Sequence, residues 1–184
     1  RIGALPTRGA GADLPRGAGG NYFWRLVRTE RVIVIDGLGI AALAAAFTVS
    51  SWSSGLHLPM AFGLLAVNAP LSTMISADPD LRRQLAMLGH PRLIARQYAT
   101  VVACCLAPLN IAAAVGYWAL GATQLVGLAV LTALATAVDA LGMPLLERWL
   151  PLRGVTTPRD AWRHPRKYLL PGLLILAAGL VPLT

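Results

Sequence analysis

The stretch Val32-Ile-Val-Ile-Asp-Gly-Leu-Gly-Ile-Ala-Ala-Leu-Ala-Ala-Ala-Phe-Thr-Val-Ser-Ser51 decides the fold. It runs for about 20 residues with one charged side chain, Asp36, and a helix of that length crosses the hydrocarbon of a bilayer. Gly37, Ala41 and Ala45 recur every four residues and make a ridge of small side chains suited to close helix packing. The composition agrees. Of 184 residues, 56% are hydrophobic and 13% charged, with a mean hydropathy of +0.61. A soluble domain carries about 25% charged residues. The core is therefore built against lipid, and the expected class is all-α: a polytopic membrane helix bundle.

Outward from this run, the same character recurs four times. A neutral connection at 52–57 leads to a second expected span over 58–75, opened by Pro59 and kinked at Pro70. A third is expected over 94–120, with Pro108 in its middle. After a short neutral turn at 121–124, a fourth covers 125–146. The last apolar run, 168–184, is at the lower limit for a crossing. These give about five spans in a transmembrane domain of residues 22–184. Residues 1–21 hold six glycines and three arginines and read as a flexible basic tail. The segment 22–31 interleaves aromatics with arginines, as an amphipathic stretch lying among headgroups does.

Between the second and third runs lies Asp78-Pro-Asp-Leu-Arg-Arg-Gln-Leu-Ala-Met-Leu-Gly89. Asp78 fits an N-cap, Pro79 the first helical position and Gly89 the C-terminal cap, so a short helix is expected over 78–89. Leu81, Leu85 and Leu88 share one edge of it at i, i+4, i+7, with Arg82 and Arg83 beside them. In the basic segment 147–167, Thr157 and Pro158 look like a second helix start.

The charges give the orientation. The net charge is +8, and all 16 Lys and Arg fall in three places, six in 1–31, four in 82–96 and six in 148–167. Alternate connections are wholly basic or wholly neutral. The positive-inside rule then puts the N-terminus, the 78–89 helix and the 147–167 loop in the cytoplasm, in a cell (plasma) membrane, with contact to anionic lipid headgroups. Basic residues dispersed between apolar runs do not point to nucleic acid.

Two carboxylates interrupt the apolar runs, and an acid within a span is expected to face the bundle or water. Asp36 lies near the cytoplasmic end of the first span, and Asp139 is roughly 10 Å along the helix axis from Leu146. Thr132, Thr136 and Asp139 form a stripe at i, i+4, i+7. Asn68 and Ser72 share a face of the second run, and Asn110 lies beside Pro108. These seven residues are pathway candidates, as a polar route or a proton-linked site. The competing reading is interhelical hydrogen bonding and local water at the cytoplasmic mouth. Cys104 and Cys105 are adjacent, so a bridge between them is not expected. The three histidines, at 57, 90 and 164, are scattered. No zinc-protease, phosphate-loop or serine-hydrolase motif occurs, so neither a cofactor nor a metal site is expected, and ATP would have to act on another chain.

The run Asn68-Ala-Pro-Leu-Ser-Thr-Met-Ile-Ser-Ala-Asp-Pro-Asp-Leu-Arg-Arg-Gln-Leu85 resembles bacterial ABC exporter permeases of the ABC-2 kind. So does the order around it: amphipathic entry segment, span, short outer turn, span, cytoplasmic helix, span. The resemblance covers residues 22–146. It implies a permease subunit without catalysis of its own, in a homo- or hetero-oligomer, paired with a separate ATPase subunit. That subunit would receive the 78–89 helix, with Leu81, Leu85 and Leu88 docking and Arg82 and Arg83 at the rim. Six spans are usual in such permeases and are not complete here. The start at Arg1 and the short last run suggest half of a longer permease. The alternatives are an intramembrane enzyme of lipid or cell-envelope metabolism using Asp36 or Asp139, and a non-catalytic membrane scaffold.

Overall fold

The computed structural model describes residues 22–29, 31–55, 59–76, 91–151 and 165–180. Helices α1 (Tyr22–Thr29) and α2 (Arg31–Ser53) are followed by two short ones, α3 (Met60–Leu65) and α4 (Ala69–Ser72). Two long helices come next, α5 (Pro91–Ala119) and α6 (Leu125–Trp149). A 3-10 turn at Pro165–Tyr168 then leads into α7 (Leu169–Ala178). The described structure is all-α.

Among the described residues, three stretches are long and apolar enough to cross a membrane: Ile33–Ser53, Arg92–Ala119 and Leu125–Trp149. They indicate a multi-pass membrane protein. Their outer faces are apolar and uncovered, as at Leu38, Ile111, Val126 and Leu141. In water such surface would drive aggregation, whereas in lipid it is the solvated face. α2 buries one stripe, Ile33, Ala44, Thr48 and Ser51. Gly37 and Ala41 lie along this stripe half-buried, but Ala45 is exposed, so the small-residue ridge turns away from the bundle at its upper end.

The second expected span takes another form. Residues 58–75 are not one kinked helix; α3 and α4 are separated by a break at 66–68. The cause is local. The Asn68 side chain accepts a hydrogen bond from Leu71 N at 3.1 Å and caps a new helix, in which Pro70 occupies the first turn. Proline has no N–H to give to the preceding turn and fits the start of a helix, so capping by Asn68 makes it a restart rather than a kink. The fifth expected run holds only the ten-residue α7, with residues 181–184 outside the described set.

α3 and α7 pack closely, because Gly63 lets them. A Cβ built on Gly63 would come within 2.5 Å of Ile175 Cγ1 and 3.2 Å of the Pro171 carbonyl. Gly142 plays the same part on α6, where a Cβ would come within 2.5 Å of Leu170 Cδ2. α5 passes through Pro108 and α6 through Pro144 without ending.

Candidate functional site

Polar groups are buried at three levels of this apolar bundle, and each level is built by residues on α5 or α6. At one end, Tyr117 of α5 is fully buried. Its hydroxyl accepts from Ala61 N at 3.0 Å, and Thr48 Oγ1 of α2 lies 3.4 Å away. Ala61 is in the first turn of α3, where backbone N–H groups lack partners within the helix. Tyr117 therefore caps α3 from a neighbouring helix. The rings of Phe62 and Trp52 pack on it, with centroids 6.0 and 5.5 Å away.

At the other end, Glu147 and Arg166 form a buried ion pair at 3.3 Å. Arg166 donates from one guanidinium nitrogen to Leu150 O at 2.6 Å and from the other to Ser72 O. Those carbonyls follow the end of α6 and close α4, and a cation belongs at both, since helix C-termini are electronegative and leave carbonyls unpaired. Glu147 in turn accepts from Ser76 N at 3.3 Å and from the Ser76 hydroxyl. The Tyr98 hydroxyl donates to Leu71 O, and the ring stacks on Phe23 of α1 with centroids 5.0 Å apart. One knot thus ties α1, α4, α5, α6 and the 3-10 turn together. The described Lys and Arg residues of α1, the start of α5, the end of α6 and the 3-10 turn therefore flank a single end of the bundle.

Tyr98 and Tyr117 are nineteen residues apart on α5, roughly 28 Å along its axis. Tyr117 holds the start of α3 and Tyr98 the end of α4, so the broken segment 59–76 runs alongside α5 over that length.

Between these ends lies the third level. Asn110 of α5 donates to Thr136 Oγ1 of α6 at 3.2 Å. The Asn110 side chain also bears on Asp139, yet among the described residues neither buried carboxylate oxygen of Asp139 has a partner at hydrogen-bond geometry. Asn110 Oδ1 is likewise unpartnered. Neither residue has any exposed surface. On the outside of the same hairpin an apolar groove of about 730 Å³ runs from Trp118 and Leu125 to Ala140, with Thr132 and Thr136 in its wall.

The structure thus divides the residues singled out in the sequence. Asn110, Thr136 and Asp139 come together. Thr132 half-faces the groove and spends its hydroxyl on Leu128 O at 2.7 Å, inside its own helix. The stripe Thr132–Thr136–Asp139 is therefore split, its two threonines bordering the groove and its acid turned inward. Asn68 is a helix cap packed against Gly37, whose Cβ position would lie 3.7 Å from Asn68 Nδ2. Ser72 is buried and serves the knot through its carbonyl. Asp36 is half-buried, and its Oδ2 has no partner. Cys104 and Cys105 are free thiols. Leu81, Arg82, Arg83, Leu85 and Leu88 lie outside the described residues, as does the expected helix start at Thr157.

Sequence reasoning missed Glu147, Arg166, Tyr98 and Tyr117. One signal was available for the pair. Glu147 is an acid at the edge of a strongly basic segment, and one of six basic residues there was free to find it.

Comparison with known protein families, with curated proteins and with solved structures finds no match to this chain.

Proposed function

We propose that this chain is the membrane permease subunit of a bacterial transporter, energised by a separate ATPase that docks on the segment 78–89. The observation that carries the proposal is where that segment is rooted. The last described residue before it, Ser76, is bonded to Glu147, and the first after it, Pro91, begins α5 two turns before Tyr98, which is bonded to Leu71 O. Both roots belong to one buried knot. A force applied to residues 78–89 reaches α4, α5 and α6 together, as a coupling element must. Leu81, Leu85 and Leu88 would supply the docking edge, with Arg82 and Arg83 at its rim.

In this reading the chain crosses the membrane five times. The broken segment 59–76 makes the second crossing, since its run beside α5 matches the roughly 30 Å hydrocarbon thickness. α7 makes the fifth. The basic end faces the cytoplasm of a cell membrane. Broken helices and uncovered polar groups are tolerated in lipid only where protein or water covers them, and transporters place their sites at such breaks. Asp139, Asn110 and Thr136 supply the interior polar site, and Asp36, Asn68 and Ser72 line the route from the basic end.

The test is purification from native membranes in mild detergent, followed by identification of what travels with the chain. An ATPase subunit in constant ratio to the chain is the expected result. A chain that purifies alone and shows an activity lost in Asp36→Asn or Asp139→Asn would replace the permease with an intramembrane enzyme. A chain with neither partner nor activity would make it a scaffold.

A further inference from the structure

We propose that Asp139 is a proton-binding site: its carboxyl group carries an exchangeable proton inside the closed α5–α6 interface. The argument is one of donors and acceptors. An ionised carboxylate only accepts hydrogen bonds. Both oxygens of Asp139 are buried and receive none, and Asn110 Oδ1 beside it is a third acceptor without a donor. A buried charge without a partner is far more costly than a neutral polar group, so the site needs either a counter-cation or a proton. Among the described residues no basic side chain supplies the first. α3, α4 and α7, which pack against α6, carry no titratable residue. From α5 it is the neutral Asn110 that bears on the carboxyl, not Arg92 or Arg96. Along α6, Glu147 lies two turns away on the same buried face and is already committed to Arg166.

A proton resolves the mismatch with the groups present. It converts one Asp139 oxygen from an acceptor into a donor, and the neighbouring unpaired acceptor is the Asn110 amide oxygen. The bond that forms is O–H on Asp139, and the proton comes from water when the interface is open. Separation of α5 from α6 on the bundle side of the interface would hydrate the carboxyl and release the proton to water. Asp36 has an unpartnered oxygen too, but it is only half-buried and makes the natural control.

The inference concerns Asp139 itself and stands or falls apart from the permease reading. The experiment is infrared spectroscopy of the whole chain in lipid nanodiscs at neutral pH. The expected result is a carbonyl-stretch band of a protonated carboxylic acid. It should shift in deuterated water, persist in Asp36→Asn and vanish in Asp139→Asn. If Asp139→Asn does not accumulate, Asp139→Glu decides the matter with carboxyl-labelled aspartate. The label must move the band in the native chain and leave it in place in Asp139→Glu. Absence of an Asp139-dependent band at neutral pH would overturn the proposal. So would an ionised carboxylate band at Asp139 that responds to sodium, which would make the site one for a metal cation.

Discussion

Glu147 and Arg166 show how much a single pair can do in this bundle. Both side chains are nearly without exposed surface. The pair's worth is not a simple sum of attraction, because each ion gives up hydration to be there. What the structure makes plain is the cost of separating them. Removing one partner strands the other charge and at the same time releases either the carbonyls of Leu150 and Ser72 or the Ser76 donors. Glu147→Met and Arg166→Met are each expected to destabilise the folded chain by about 3–5 kcal/mol. The double change Glu147→Met with Arg166→Met should cost clearly less than the two single effects combined, since no charge is left behind. Denaturation of the four proteins in one detergent measures this, and strict additivity would show that the pair is not a unit. The pair was not legible in the sequence, where the two residues lie nineteen positions apart and both look like loop charges. Asp139 was legible, because an acid within an apolar run is expensive unless it faces the interior. Its isolation from donors was not, since that depends on which face of α5 meets it.

At the scale of elements, hydropathy located the long helices well. The first, third and fourth expected spans, 32–51, 94–120 and 125–146, are observed as Arg31–Ser53, Pro91–Ala119 and Leu125–Trp149. Lipid selects on length and apolarity, and both can be read along the chain. The broken segment was harder because its form depends on a cap. Asn68 two residues before Pro70 is a helix-start signature, but inside an apolar run the proline reads equally as a kink. Close approach of α3 and α7 was equally hidden, because nothing in a lone Gly63 says which helix it will meet. Gly63→Ala should destabilise by about 1–3 kcal/mol, the usual cost of overpacking. Its new methyl meets Ile175 Cγ1 and the Pro171 backbone carbonyl, and the carbonyl does not yield easily. Gly63→Ala with Ile175→Ala should recover part of the loss. Gly39→Ala, where a Cβ meets nothing within 4 Å, should be neutral or slightly stabilising through helix propensity. Thermal unfolding in detergent separates the three. Equal effects at Gly63 and Gly39 would mean that α3 and α7 do not approach as described.

For the whole molecule, the arrangement of the two ends carries the functional reading. One end is sealed by Tyr117 and its aromatic neighbours, and the other by the Glu147–Arg166 knot amid the basic segments. If the basic end is cytoplasmic, cysteines placed at Gly55 and Thr123, in a background lacking Cys104 and Cys105, should be labelled from outside in intact cells. Cysteines at Arg83 and Arg159 should be protected until the membrane is opened. External labelling at Arg83 would invert the orientation. In the proposed function a partner ATPase drives the bundle through residues 78–89. The most direct measurement is ATPase stimulation in vesicles reconstituted with the co-purified partner, comparing the native chain with Leu85→Glu. Burying a leucine is worth about 1.5–3 kcal/mol, and a charge in its place should lift the docking edge off the partner. Insertion is expected to be unchanged, because residue 85 lies outside the apolar runs of the sequence. The expected result is normal membrane insertion of Leu85→Glu with loss of both co-purification and stimulation. Native binding and full stimulation in Leu85→Glu would contradict it.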